Sequence, residues 1–295
     1  MAAGSIVRVG LIQLSATADK AENIERTVRG IEQAAQKGAQ LICTQELFAT
    51  HYFCQTHDMA HFDWAEPLDG ACARALRAAA KAHGVCIVGS LFERRTAGVY
   101  HNSALVIGPD GNDLGLYRKM HIPDDPQFEE KYYFTPGDTG FVSVNTPLGN
   151  VGPLICWDQW YPEAARLCAL QGAQILVYPT AIGWLPSEKN EYGVAQLSAW
   201  QTAQRAHAIS NGVFLVAVNR VGFEPAPAKE GIEFWGNSFV VDPGGTVIAQ
   251  AGLGEEILVV DCDLSLIERQ RRDWPFLRDR RIDAYTGLTS RYLEK

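Results

Sequence analysis

The chain has 295 residues, a formal net charge of −8, 47% apolar residues and 20% charged residues, enough to bury the core of one large α/β domain or two small ones. The acidic balance argues against a nucleic-acid partner, which needs a basic face. No apolar run is long enough to span a bilayer, and the start, Met-Ala-Ala-Gly-Ser, has no basic n-region or apolar h-region, so no secretory signal is expected.

In chain order, residues 7–14 form an apolar strand, and 21–36 have helical spacing through Ile24, Val28, Ile31 and Ala35. A second strand over 40–43 ends just before Glu46. Residues 69–83 are Ala-rich and helical, and 85–93 and 100–107 are strands. Pro109-Asp110-Gly111 makes 100–119 a hairpin that ends on Lys119. Residues 121–140 form a long loop of the kind that often carries function. The second half repeats this grammar: strand 151–155, helix 162–171, strand 174–178, helix 192–210, strand 213–218, a hairpin of 237–242 with 246–251, and a last strand over 257–262. Gly38-Ala39-Gln40 is echoed by Gly172-Ala173-Gln174, and Asn102-Ser103 by Asn237-Ser238. Such echoes point to an internal duplication. Two βαβ-type halves then pack sheet to sheet with helices outside, a four-layer αββα sandwich. Residues 1–263 read as one domain. Residues 264–295 are an Arg-rich, aromatic extension expected to pack on the domain or on a partner subunit.

Cys156 ends the apolar run Val-Gly-Pro-Leu-Ile, and Pro162 suits the first position of the helix that follows. The thiol is thus expected on a strand-to-helix turn, a place that holds a nucleophile rigidly yet open. A free thiol has a pKa of about 8.5 and needs a base or a cation to attack a carbonyl. Glu46 can take its proton. Lys119 and the N–H of Trp157 can hold the oxyanion.

These three segments, in this order, resemble the nitrilase superfamily of carbon–nitrogen hydrolases over about residues 7–263. The resemblance implies a Glu46–Lys119–Cys156 triad on an αββα sandwich, and a second glutamate in the loop after the lysine. In Phe128-Glu129-Glu130-Lys131-Tyr132-Tyr133 that place falls to Glu130, with Glu129 as the neighbouring alternative. His121-Ile-Pro-Asp-Asp-Pro126, Cys156-Trp-Asp-Gln-Trp-Tyr-Pro-Glu163 and Ala49-Thr-His-Tyr-Phe-Cys-Gln55 resemble the subgroup acting on N-carbamoylputrescine. Asp158, Gln159 and Trp160 stand where relatives acting on carbamoyl amino acids are expected to carry arginines. The implied substrate is a small cationic carbamoyl amine, cleaved to putrescine, ammonia and carbon dioxide. Tyr52, Trp157 and Trp184 are candidate walls, Asp125 and Asp158 candidate ammonium partners. Pro179 and Thr180 are implied to line the pocket. A homodimer or larger homo-oligomer is also implied.

Other readings compete at several positions. Asp158 can instead cap the following helix. His57 and His61 have i, i+4 spacing near His51 and Cys54, but no second ligand pair appears, so no metal is expected. No cofactor motif is present. Seven cysteines without Cys-x-x-Cys suit a reducing cytoplasm better than a disulfide framework. Two alternative functions remain: a related amidohydrolase for an N-carbamoyl-β-amino acid or dicarboxylate amide, and a non-catalytic interaction protein on the same fold.

Overall fold

The computed structural model describes residues 6–293. The first five residues, read above as lacking a signal, and the last two of the extension lie outside the described residues. The first half contains β1 (Ile6–Gln13), α1 (Lys20–Gln36), β2 (Leu41–Thr44), α2 (Ala71–His83), β3 (Cys86–Thr96), β4 (Val99–Ile107) and β5 (Asp113–Arg118). The second half contains β6 (Val144–Thr146), β7 (Gly149–Pro153), α3 (Pro162–Leu170), β8 (Ile175–Pro179), β9 (Gly183–Trp184), α4 (Pro186–Asn211) and β10 (Phe214–Val218). It continues with β11 (Val221–Glu224), β12 (Ile232–Trp235), β13 (Phe239–Val241), β14 (Val247–Gln250), β15 (Glu256–Asp263) and α5 (Ser265–Asp273).

One sheet runs β15-β1-β2-β3-β4-β5, the other β6-β7-β8-β10-β13-β14. Each has three parallel strands (β1, β2, β3; β7, β8, β10), an antiparallel strand on one side and an antiparallel pair on the other. The repeated grammar of the sequence is therefore a repeated topology. Alternation along the strands sorts the core. Val7, Val9, Leu11, Leu41, Cys43 and Val88 face the second sheet, in one cluster with Val151, Val177 and Val216. Ile12, Ile42 and Ile87 face outward against Ile31 and Ala34 of α1 and Leu76 and Ala79 of α2. Helices α3 and α4 cover the far side of the second sheet through Ala164, Cys168, Trp200 and Ala208. The result is the expected αββα sandwich.

Some elements differ from the sequence reading. The strand expected over 151–155 ends at Pro153, and Cys156 begins a short 3-10 turn, Cys156–Trp160. Leu154 and Ile155 are fully buried without being part of the strand, so their apolar character overextends it. Helix α4 starts six residues before the expected Tyr192, with Pro186 at its first position. The expected strand 237–242 shortens to β13 because Asn237 adopts φ 53° and leaves the ladder. Strands β9, β11 and β12, not anticipated, form a small third sheet. Helix α5 sends Ile267 into the core, while Trp274, Ile282, Leu288 and Tyr292 beyond it are exposed. Among the described residues no helix is long and apolar enough to cross a membrane.

Candidate active site

Glu46, Lys119 and Cys156 follow β2, β5 and β7, where the facing sheets bring their ends together. Glu46 stands two residues past β2 and is fully buried. Its turn is clamped from the second half by Arg220, whose guanidinium donates to the carbonyls of Glu46 (2.7 Å) and Leu47 (3.0 Å) and pairs with Glu224 (2.7 Å). Lys119 follows β5 directly. The preceding Arg118 grips Glu93 through two nitrogens (2.8 and 2.6 Å) and Asp138 through the third (2.9 Å), fixing the strand end. The loop returns against Lys119 at Gly137, whose N–H donates to the Lys119 carbonyl at 2.8 Å. A Cβ there would sit 1.9 Å from the Arg118 carbonyl oxygen, so only glycine allows the approach. Cys156 adopts φ 39°, a left-handed conformation unusual for a non-glycine residue. Its Sγ lies 3.8 Å from the Ala181 carbonyl oxygen.

Three charged side chains form a buried cluster with two neutral donors. Lys119 Nζ donates to Glu46 Oε1 at 2.8 Å and to Glu130 Oε2 at 2.7 Å. Asn102 Nδ2 donates to the same Glu46 oxygen at 2.7 Å, and Tyr52 OH donates to Glu130 Oε1 at 2.7 Å. Glu46 Oε2 has no hydrogen-bond partner among the described residues. Burial alone would lower the Lys119 pKa, but the carboxylates of Glu130 and Glu46 outweigh it and hold the ammonium charged. Burial lifts Glu130 to about 7, with Lys119 opposing and Glu46 reinforcing the rise. Burial, then the Glu46 charge, pushes the Cys156 thiol well up, with Lys119 pulling the other way. The resting thiol thus keeps its proton near neutrality, and the unpartnered oxygen of Glu46 is the free acceptor in the cluster.

A cavity of about 330 Å³ opens onto this cluster, lined by Cys156, Glu130 and Trp157 together with Asp125, Phe128, Trp160, Glu188 and Trp235. That size suits a small-molecule ligand. Its lining includes three carboxylates, Asp125, Glu130 and Glu188, and no lysine or arginine among the described residues.

Of the candidate substrate residues, Trp157 and Asp125 line this cavity. Tyr52 does not; it is buried behind Glu130 with its ring against Phe128 and Phe234. Asp158 is fully buried and gives its oxygens to Tyr117, Ile155 and His121. It therefore neither lines the cavity nor caps α3, whose first turn begins after Tyr161 with no side-chain cap; it ties the nucleophile's turn to the segment around Lys119. Thr180 sits behind the wall, its carbonyl accepting from Glu46 N–H at 3.4 Å, and Pro179 ends β8. Trp184 packs on Trp235 and donates to the Gly193 carbonyl at 3.1 Å. Glu129 points away from the cluster, to His57 and Lys229, and Glu130 is the glutamate that meets Lys119. Among the described residues no group of three or more His, Cys, Asp or Glu is placed to hold a metal ion.

Sequence reasoning missed Glu188, Trp235 and Arg220. Pro186 followed by Glu188 is the same start signal that located α3 at Pro162, and would have placed Glu188 in a first helical turn. Trp235 and Arg220 left no local signal. Asn102 was visible only as part of an internal echo.

The family model for carbon-nitrogen hydrolases matches residues 8–272. An N-carbamoylputrescine amidase of Solanum lycopersicum is 45% identical over 288 residues, 96% of this chain and 95% of the relative. A citrullinase of Francisella tularensis is 39% identical over 290 residues, 97% of this chain and 99% of the relative. The crystal structure of a carbon-nitrogen hydrolase from Helicobacter pylori G27 is 48% identical and covers 98% of this chain and all of that one, with a TM-score of 0.95. With its sheets stacked as in that structure and its sequence matched almost end to end, the chain belongs to the carbon–nitrogen hydrolases of the nitrilase superfamily and is an amide-cleaving enzyme.

Proposed function

We propose that the substrate is N-carbamoylputrescine, cleaved to putrescine, ammonia and carbon dioxide. The observation that carries this reading is the cavity lining: carboxylates and aromatic faces without a basic side chain. Such a lining favours an alkylammonium by ion pairing and cation–π contact and leaves a carboxylate unmatched. Similarity to N-carbamoylputrescine amidases supports the same choice. The citrullinase relative suggests an amino-acid substrate, whose carboxylate would lack a partner here.

In this reading Cys156 Sγ bonds to the ureido carbon as its proton passes to Glu46 Oε2. Lys119 and the Trp157 N–H hold the oxyanion. Collapse breaks a C–N bond, and the departing amine takes a proton from Glu46 or Glu130. Water, deprotonated by the same carboxylate, then attacks the thiocarbamoyl carbon and breaks the C–S bond, returning the thiol and releasing a carbamic acid, whose remaining C–N bond breaks as it loses carbon dioxide. Either C–N bond of the urea can break first. Glu130 and Tyr52 keep Lys119 oriented, and Glu188 and Asp125 receive the substrate ammonium.

Ammonia release from carbamoylputrescine, citrulline, ureidopropionate and N-butylurea tests the reading. The cationic compound should have the highest kcat/KM, and Glu188→Gln should raise its KM by about tenfold with kcat little changed. Faster turnover of ureidopropionate would overturn it.

Two further parts belong to the proposal. Exposed Trp274, Ile282, Leu288 and Tyr292 support a homodimer or larger assembly built on the extension from residue 264; a monomer by sedimentation would remove this part. The seven cysteines, all unpaired, support a cytoplasmic location, which cell fractionation checks.

A further inference from the structure

We propose that Asp158 is a positioning residue that sets the register between the Lys119 ammonium and the Cys156 sulfur. The inference rests on the roles proposed above for those two groups. Asp158 lies two residues after the nucleophile, at zero exposure, and its carboxylate accepts four hydrogen bonds. Three come from the lysine-bearing segment on either side of Lys119: Tyr117 OH at 2.7 Å, and His121 through its backbone N (3.1 Å) and ring Nδ1 (2.8 Å).

The fourth comes from the nucleophile's own turn, Ile155 N at 2.9 Å, while Asp158 N–H returns a bond to the Ile155 carbonyl at 3.0 Å. This reciprocal pair closes the turn in which Cys156 holds φ 39°, and such a conformation persists only where its surroundings over-determine it. The His121 ring also stacks on Tyr161, three residues past Asp158, at 3.7 Å between centroids. One carboxylate therefore ties the end of β5 in the first sheet to the turn after β7 in the second. No lysine or arginine among the described residues forms an ion pair with it. Its partners are the two catalytic segments themselves.

Kinetics of Tyr117→Phe, Asp158→Asn and the double variant test this, with Cys156→Ala as reference. Tyr117→Phe keeps the ring and removes one donor. It should lower kcat by about tenfold with KM within about twofold of the parent. In Asp158→Asn an amide NH₂ must face donors, and kcat should fall by about a hundredfold. The double variant should be no slower than Asp158→Asn, since both act through one contact. Parental kcat in either folded single variant overturns the proposal. So does a raised KM with unchanged kcat, which would make Asp158 a substrate contact. If Asp158→Asn does not fold, Tyr117→Phe decides alone. Turnover by Cys156→Ala would instead sink the proposed mechanism.

Discussion

The two sheets share one strand order, yet the polar networks around the equivalent residues Asn102 and Asn237 differ in charge. Within β4, Asn102 donates to the Glu46–Lys119–Glu130 cluster. Its counterpart before β13, Asn237, donates to the Trp235 carbonyl and accepts from Gln250. Around it Gln13 accepts from Ser238 N–H and donates to the carbonyls of Gly252 and Gly254, and Asn219 donates to those of Ile182 and Gly236. This second network consists of neutral amides with matched partners, which stabilise a buried polar site. The first has two carboxylates for one ammonium and an oxygen with no partner among the described residues. Duplication explains the shared scaffold. The imbalance, costly in a low-dielectric interior, coincides with the place proposed for the chemistry.

The sharpest way to break this comparison is Glu46→Gln. It should lower kcat by about 10⁴-fold while circular dichroism and the melting transition stay those of the parent; retained turnover would remove Glu46 as the base. Next, Gln13→Leu in the neutral network should cost about 2 kcal/mol in denaturant unfolding, for its three hydrogen bonds, with kcat unchanged. A fall in kcat there would show that both networks serve catalysis. Last is the pH profile. With Glu130 raised to about 7 and required as its carboxylate, kcat/KM should climb by about tenfold per unit as pH rises toward 7, then level off. In Glu130→Gln the plateau should be lower and that limb absent. An unchanged limb would assign it to another group.

Much of the site could be read in the chain because Glu46, Lys119 and Cys156 each end or follow an apolar run of the right period. Tyr52, Asp158 and Trp184 show where such reading stops. Each is a polar or aromatic residue beside a motif, and nothing local tells whether it faces a cavity or supports a neighbour. Tyr52 meets Glu130 at a separation of 78 residues, and Asp158 meets Tyr117 at 41. Arg220, 174 residues from the Glu46 carbonyl it holds, was invisible for the same reason.

The sequence by itself determined the alternation of strands and helices, the duplicated plan and the identity of the proposed reacting groups. Hydrophobic period and side-chain chemistry are properties of short segments. The tertiary structure alone decided which carboxylates enter the cavity, which oxygen of Glu46 stays free and why Glu130 is raised to about 7. Those follow from burial and from distances between groups remote in the chain, which exist only after the two sheets have closed on one another.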